Sequence, residues 1–387
     1  MRIGILDLSV TGWTAGGIFT RVVCHGLASA AAAAPDIELT FVSNSEPSKG
    51  LPVSLSTEKP VSWQPLSLGE RVQRRFGAFR QPNWLELTME RHRLDAILPV
   101  VYAASVAPTR PAAGRLIGWI PDFQHLYLPE YFDQAEIDRR EAQCTVCAET
   151  SARMLLSSED SLDHFKTRFP AHADKGKAIP FPSIFAFEPP AAPQGDVRQK
   201  YNLPEIFIMV ANQFWAHKNH LTVVRALAAL KRRGLSVTFV FTGQLGDHRN
   251  GADCVLSTLL QEAAALGVYE QIRVLGLVPR ADLLDLMRSA AAVLQPSRWE
   301  GWSTTVQDAK AIGRPVICSD LPVHREQAPD ALFFFAPLDP EDLAEKLATA
   351  LPHFVPGPDP AAEAASLLSE TTLARDYGRT LLEFCRP

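Results

Sequence analysis

Two carboxylates and several hydroxyl side chains follow one short apolar segment. Glu300 comes four positions after the apolar run AAVLQP, and Asp308 follows eight positions later. If that run is a strand and a helix begins near Ser303 or Thr304, the free N–H groups at the helix start form a site for a phosphate-sized anion. Asp308 then lies one helical turn beyond Thr304 on the same helix face.

Two carboxylates beside an anion site would repel the anion, so we expect them to bind groups attached to it. Carboxylates accept hydrogen bonds from paired hydroxyl groups. The pattern therefore favours a ligand with a diphosphate between two polyols, such as the sugar and the ribose of a nucleotide-sugar.

Other loops that follow predicted strands also carry chemically useful residues, and parallel α/β sheets bind ligands at those ends. Gly16 and Gly17 open a helix and would let backbone approach a ligand closely, although a Gly pair is also typical of a simple turn. The loop with Asp122, Gln124 and His125 combines an acid, an amide and an imidazole. The alternative is that Asp122 caps a turn and His125 is a surface residue.

Two loops in the second half of the chain also have both a ligand-binding and a purely structural interpretation. Lys218 is expected in the first turn of a helix, where a cation opposes the helix dipole and a bound phosphate would explain its presence. A solvent-exposed lysine is the alternative. The loop Gly276 to Arg280, which contains Val278, either borders a nucleotide base or forms an ordinary turn.

Short apolar runs alternate with helical patterns along the whole chain, which predicts an α/β protein with parallel sheets covered on both faces. The Pro-rich connector from Phe187 to Glu205 separates two such series. We therefore expect one α/β domain over residues 1–188 and another over residues 205–365, with a last helix from about Thr371 to Phe384.

Composition excludes several classes of protein. The 387 residues are 47% apolar and carry a formal net charge of −5, which disfavours sequence-independent binding to nucleic acid. Cys144 and Cys147 have no second pair at zinc-ligand spacing, so no metal site is expected. No apolar run approaches the roughly 20 residues of a membrane span. These features predict a cytoplasmic protein.

A basic stretch bears on the acceptor and on membrane contact. Arg71, Arg74, Arg75 and Arg80 are interleaved with aromatic residues, as in a surface for anionic lipid headgroups or a lipid-diphosphate acceptor. This would place the protein peripherally at the inner face of the membrane. A solvated helix face is the alternative interpretation.

The segment PSRWEGWSTTVQDAKAIGRPVICSDLPVHRE resembles the donor-site signature of the retaining GT-B glycosyltransferases of family four. The pattern is an acid after a strand, a Gly, and a second acid after seven intervening residues. Further positions of the chain agree with that family: Gly16–Gly17, Lys218–Asn219, the LVPRADLLDLM segment, Pro296–Ser297, Gly313 with Pro315, and Glu326.

The resemblance implies two Rossmann-like domains facing a central cleft. It assigns acceptor binding to residues 1–188 and nucleotide-sugar binding to residues 205–365, with residues 366–387 packing back on the first domain. It also assigns roles to residues by position. Glu300 would bind the donor sugar, Asp308 the ribose, the backbone of Trp302, Ser303, Thr304 and Thr305 the phosphates, and Lys218 would be the phosphate cation. Three departures stand out. The second acid is Asp308 rather than Glu, Gln213 replaces an Arg of the diphosphate site, and Pro121 replaces a His before Asp122, which leaves His125 as the nearest imidazole.

The function implied is transfer of a sugar from a nucleotide-diphosphate sugar to a glycan or lipid-linked acceptor, with retention, in the synthesis of cell-surface polysaccharide or glycoconjugate. No DxD triplet occurs in the chain, so the chemistry is expected to be metal-independent and without a cofactor. The open alternatives are a nucleotide-sugar epimerase or hydrolase of the same fold, and a non-catalytic nucleotide-sugar-binding protein.

Overall fold

The computed structural model describes residues 1–9, 14–43, 51–52, 55–58, 84–101, 115–190, 192–193, 195–246 and 254–387. The chain forms two compact units. The first contains residues 1–123, 134–187 and 372–387, and the second contains residues 124–133 and 188–371. Arg71, Arg74, Arg75 and Arg80 lie outside the described residues.

The first unit is built on a parallel sheet with the strand order β3-β2-β1-β4-β5-β6-β7. Its strands are β1 Arg2–Leu6, β2 Glu38–Val42, β3 Ser56–Glu58, β4 Ala96–Val100, β5 Arg115–Trp119, β6 Arg153–Leu156 and β7 Gly176–Ala178. Helices α1 Thr14–Ala31, α2 Trp84–His92, α4 Gln134–Thr150 and α5 Glu159–Arg168 connect them, and the short helix α3 Gln124–Tyr127 belongs to the second unit.

The second unit repeats this plan with the order β10-β9-β8-β11-β12-β13, again parallel. Its strands are β8 Phe207–Ala211, β9 Thr238–Thr242, β10 Ile272–Gly276, β11 Ala292–Gln295, β12 Val316–Ser319 and β13 Phe333–Phe335. Its further helices are α6 Val197–Lys200, α7 His220–Arg232, α8 Cys254–Ala265, α9 Arg280–Ser289, α10 Thr304–Ala311, α11 Pro322–Gln327 and α12 Pro340–Ala350.

The core of the second unit shows why these segments fold as they do. Phe239 and Phe241 alternate along β9 and point into one buried cluster, in which the apolar stripe of α7 also packs through Val223, Leu227 and Leu230. Strands covered on both faces by helices are apolar at nearly every position. This explains why the uninterrupted apolar runs predicted the long strands correctly.

The C-terminal helix differs from its prediction. Helix α13 runs from Pro360 to Cys385 and begins eleven residues before Thr371. Asp359 accepts a hydrogen bond from the Ala362 backbone N–H at 3.0 Å, and proline is favoured in a first helical turn. The Ala-rich segment after Pro360 is therefore helix and not part of the connection.

Close backbone packing places the end of α13 in the first unit. A Cβ atom added at Gly378 would lie 2.3 Å from the carbonyl oxygen of Gly26 on α1. Only glycine allows the two helices to approach this closely. Within the described ranges, no helix is long and apolar enough to cross a membrane.

Candidate active site in the second unit

The strand order of the second sheet identifies where a ligand would bind. Strands β8 and β11 are neighbours although two other strands lie between them in sequence. Connections leave these two strands toward opposite edges of the sheet, which opens a crevice beyond their carboxyl ends. The segments that follow them carry Lys218 and Glu300.

An asparagine in a left-handed conformation fixes the loop that carries Lys218. Asn219 has φ 60° and ψ 35°, a conformation that Asn tolerates better than most residues. Its Nδ2 donates to the carbonyl oxygens of Pro296 at 2.9 Å and Pro337 at 2.6 Å. The sequence predicted that Lys218 lies in the first turn of α7. In the structure, Lys218 instead ends a 3₁₀ turn that precedes this helix.

Lys218 and Glu300 form an ion pair. The Lys218 Nζ donates to Glu300 Oε1 at 2.5 Å, and the two side chains are only 15% and 9% exposed. The same carboxylate oxygen accepts a hydrogen bond from Gln295 Nε2 at 2.6 Å. Gln295 is in turn oriented by Asn212, whose Nδ2 donates to Gln295 Oε1 at 2.9 Å.

This environment keeps Glu300 ionised. Burial alone pushes the carboxyl pKa upward, but the charge of Lys218 and the hydrogen bonds from Lys218 and Ser297 outweigh it, so the pKa is lowered. An ionised carboxylate in a crevice is a strong acceptor for substrate hydroxyl groups. This is the chemistry expected of a sugar-binding acid.

His324 is a buried neighbour of this site that the sequence analysis did not single out. Its Nδ1–H donates to the Ser319 carbonyl at 2.8 Å, and burial, opposed by the charge of Glu300, lowers the ring pKa. The ring is therefore neutral near pH 7, and its buried Nε2 has no hydrogen-bond partner within the described part of the chain. The sequence around His324 contains no signal that distinguishes it from a surface histidine.

The helix after Glu300 begins where the sequence predicted. Helix α10 starts at Thr304, and Ser303 caps it by accepting a hydrogen bond from the Val306 N–H. The N–H groups of a first helical turn have no partners inside the helix and favour an anion. The Thr305 hydroxyl donates to the Ala211 carbonyl at 2.8 Å and so joins the helix to the end of β8. The backbone N–H of Thr305, rather than its hydroxyl, is therefore available to bind a ligand.

Gln327 anchors the capping residue. Its side chain accepts from the Ser303 N–H at 3.0 Å and donates to the Ser303 carbonyl at 2.7 Å. The resemblance placed the phosphate contact on the backbone of residues 302 to 305. Because the Ser303 N–H is already bonded, that contact is better supported for Thr304 and Thr305.

Asp308 is paired with an arginine. Its side chain is buried, and Arg280 Nη2 donates to Asp308 Oδ2 at 2.6 Å. Arg280 opens α9, directly after the loop that contains the half-buried Val278. The structure thus brings together the two segments predicted to contact the ribose and the base.

The remaining predicted residues are placed as follows. Gln213 is half-buried at the end of β8, where Gly243 packs so closely that an added Cβ would lie 2.9 Å from the Gln213 Cα. In the first unit, Gly16 is buried and Gly17 partly buried within α1, and Asp122 is partly exposed.

The burial of His125 contradicts one of its two interpretations. His125 is 1% exposed, so the interpretation as a surface residue is wrong. His125 and Gln124 are both buried residues of the short helix α3, which belongs to the second unit. In the described ranges, no cluster of three His, Cys, Asp or Glu side chains could hold a metal ion.

One family model matches the part of the chain that contains these residues. Residues 194–353, which include Lys218, Glu300 and Asp308, match the family model described as Glycosyl transferases group 1. No curated protein matches the sequence.

Three solved structures illustrate the similarity of fold. Anabaena HepE in complex with UDP-glucose is 18% identical, with 99% of this chain and 100% of that chain covered and a TM-score of 0.65. Sucrose-phosphate synthase from Thermosynechococcus elongatus is 16% identical, with coverages of 100% and 96% and a TM-score of 0.63. WaaG, a glycosyltransferase involved in lipopolysaccharide biosynthesis, is 14% identical, with coverages of 98% and 95% and a TM-score of 0.58.

The two parallel-sheet units, together with these neighbours, define the GT-B fold. Residues 194–353 of the second unit match the group 1 model, which supports a glycosyltransferase.

Proposed function

We propose that the protein transfers a sugar from a nucleotide-diphosphate sugar to a hydroxyl group of a glycan or lipid-linked acceptor. The observation that carries this proposal is the buried Lys218–Glu300 pair beside the start of α10. The pair supports the proposal because an ionised carboxylate lies beside a helix start, which favours anions, at the switch point of the sheet. The neighbour that binds UDP-glucose supports a donor of this class.

Each part of the site has a role in this proposal. Glu300 accepts hydrogen bonds from hydroxyl groups of the donor sugar, and Asp308, oriented by Arg280, accepts from the ribose. The first-turn N–H groups of Thr304 and Thr305 bind the diphosphate. These groups are held rigidly by the Ser303 cap, so they need little reorganisation when charge develops on the leaving phosphate.

Lys218 contributes to the diphosphate site while it remains paired with Glu300. Its ammonium has three N–H donors, and the contact with Oε1 of Glu300 uses one of them. A phosphate oxygen can then accept from another. The lysine thereby couples the position of the sugar-binding carboxylate to the position of the leaving group.

Retention of configuration and metal-independent chemistry also belong to this proposal, and rest on the family resemblance and on the lack of a DxD triplet. A role in the synthesis of cell-surface polysaccharide or glycoconjugate is supported by the similarity to WaaG. Peripheral membrane contact through Arg71, Arg74, Arg75 and Arg80 rests on the sequence pattern alone. Asp122 and His125 are proposed as further catalytic residues near the acceptor.

The test is turnover of candidate donors. The protein is incubated with UDP- and GDP-sugars, and free nucleoside diphosphate is measured with and without a mixture of glycan and lipid-linked acceptors. We expect release that depends on acceptor. Release at the same rate without acceptor would indicate a hydrolase, isomerised donor an epimerase, and saturable binding without turnover a non-catalytic protein.

A further inference from the structure

A cavity of about 700 Å³ lies in the second unit, away from the carboxyl ends of its strands. Ala291, Pro315 and Leu332, which line it, immediately precede β11, β12 and β13. The cavity is therefore at the amino ends of these strands, whereas Glu300 follows the carboxyl end of β11. Its volume falls within the range of small-molecule sites, roughly 300–1,000 Å³.

In the described chain, one wall of the cavity contains a buried arginine that forms no ion pair with a carboxylate. Arg314 is 7% exposed, and its Nη2 donates only to the backbone carbonyls of Ala291 and Val355, each at 3.2 Å. Its buried Nε has no hydrogen-bond partner among the residues that the structure describes. Burial lowers the pKa of this guanidinium because the charged form is poorly solvated, and the opposing charge of Asp359, which also lines the cavity, does not outweigh burial.

Another buried arginine of this unit shows which partners a buried guanidinium normally has. Arg288 is 4% exposed, and its guanidinium is bonded to Asp285 at 2.9 Å and to Glu363 at 2.8 Å. A buried charge normally has such partners, because an uncompensated charge in an apolar environment is costly. Within the described chain, no carboxylate lies at ion-pair distance from Arg314, so a bound anion would supply what Arg288 obtains from the protein.

The rest of the lining determines what kind of anion fits. The walls are mostly apolar and include Leu332, Phe333, Phe354 and Val355. Lys346 also lines the cavity, but its ammonium is bonded to the Phe334 carbonyl at 2.7 Å and to Asp342 at 2.9 Å. Asp359, a carboxylate of the lining, accepts a hydrogen bond from the Ala362 N–H at 3.0 Å and forms no ion pair with Arg314. The guanidinium, which no carboxylate of the described chain contacts, therefore matches a single negative charge on an apolar body. A dianionic phosphate would bring a second charge that nothing here compensates.

We propose that this cavity binds a small apolar carboxylic acid, whose carboxylate accepts hydrogen bonds from Arg314 while its hydrocarbon body packs against Phe333 and Phe354. The site is separate from the donor site, and the proposal does not depend on the sugar-transfer activity. It adds a binding function at the amino ends of the strands whose carboxyl ends carry the active site.

The test is calorimetric titration of the full chain with octanoate, with 1-octanol as its uncharged match and inorganic phosphate as the bare anion. We expect saturable octanoate binding, and binding of octanol and phosphate that is weaker by about 10-fold or more, the usual effect of losing a hydrogen bond to a charged group. Octanoate and octanol binding with equal affinity, or no saturable octanoate binding, would overturn the proposal.

Two variants locate the site, and a third is a matched control. Arg314→Met should weaken octanoate binding about 10- to 100-fold, and Ala350→Trp, which fills the cavity and keeps the arginine, should weaken it as well. Arg273→Met is the control, because Arg273 also donates only to backbone carbonyls but does not line the cavity. Octanoate binding that survives in Ala350→Trp contradicts this location even if Arg314→Met fails to fold.

Discussion

Lys218 Nζ lies 2.5 Å from Glu300 Oε1, and both side chains are largely buried. The sequence assigned these residues to different parts of one substrate, the lysine to the diphosphate and the carboxylate to the sugar. In the structure, the charges of the two side chains neutralise each other. Substitution of either residue therefore changes the charge state and the solvation of both.

The ion pair predicts a loss of stability when the lysine alone is removed. Lys218→Met leaves Glu300 buried without its cation and should lower the free energy of unfolding by about 3–5 kcal/mol, as for other broken buried pairs. The double variant Lys218→Met/Glu300→Gln should recover most of that loss. Urea unfolding of the parent and the two variants measures this, and a Lys218→Met variant as stable as the parent would show that the pair is solvated.

The pH dependence of the same variants has a definite sign. In the parent, the pKa of Glu300 is lowered, so its contribution to stability is present above the ordinary glutamate pKa, about 4.3, and is lost as the pH falls through the folded value. Without Lys218, burial raises the pKa, and the carboxyl group destabilises the fold when it ionises. The difference in unfolding free energy between parent and Lys218→Met should therefore narrow from pH 7 toward pH 4. A constant difference would contradict this.

The diphosphate role of Lys218 can be separated from its structural role. Lys218→Ala should cost about 2–4 kcal/mol of transition-state stabilisation, while Gln213→Arg should tighten nucleoside diphosphate binding by restoring a cation. A double-mutant cycle on these positions, with affinity and transfer rate both recorded on folded protein, measures their coupling. If the affinity and the transfer rate of Lys218→Ala both stay within about twofold of the parent, Lys218 does not contact the phosphates, since twofold is only ~0.4 kcal/mol.

The Arg280–Asp308 pair predicts a defect in nucleotide affinity. Asp308→Asn should weaken nucleoside diphosphate binding by about 1–3 kcal/mol, because an ionised acceptor for the ribose is lost. Arg280→Met should have a smaller effect, because it removes only the group that orients the carboxylate. Asp320→Asn, at an exposed pair with Arg325, is the matched control. Unchanged affinity in Asp308→Asn would exclude a ribose contact.

Metal-independent transfer predicts that chelation has no effect. Addition of EDTA should leave the initial rate essentially intact. In the proposed mechanism, Lys218 and the N–H groups at the start of α10 stabilise the negative charge of the leaving group. Rates are measured on protein dialysed against EDTA, before and after magnesium or manganese is added. A large loss that either ion restores would show that a metal participates.

Much of the fold follows from local patterns in the sequence. All the long apolar runs form strands because helices cover both faces of each sheet, and the start of α10 follows from Ser303 as a cap. The short strands β3, β7 and β13 were not predicted, because three residues carry too little periodicity to distinguish a strand from a loop. The early start of α13 was missed because its prolines resembled a linker.

The partners of the site residues could not be predicted in the same way. Glu300 and Asp308 are recognisable because their spacing places them around a helix start. Lys218 and Arg280 reach them from positions 82 and 28 residues earlier, and only the folded sheet brings those loops together. The burial of His125 likewise depends on tertiary packing and leaves no mark on the sequence near it.

The most direct test of the proposed site compares sugar transfer with nucleotide binding in Glu300→Gln. The substitution keeps the size and shape of the side chain, but it replaces one acceptor oxygen by an NH2 donor and removes the charge that donor hydroxyl groups would bind. The account predicts that transfer falls by at least about 100-fold, as when other groups that stabilise a transition state are removed. Affinity for the nucleoside diphosphate should be retained or increased, because Lys218 is released from its partner. Collapse of nucleotide affinity together with activity, or transfer at the parent rate, would contradict the assignment of Glu300 to the sugar.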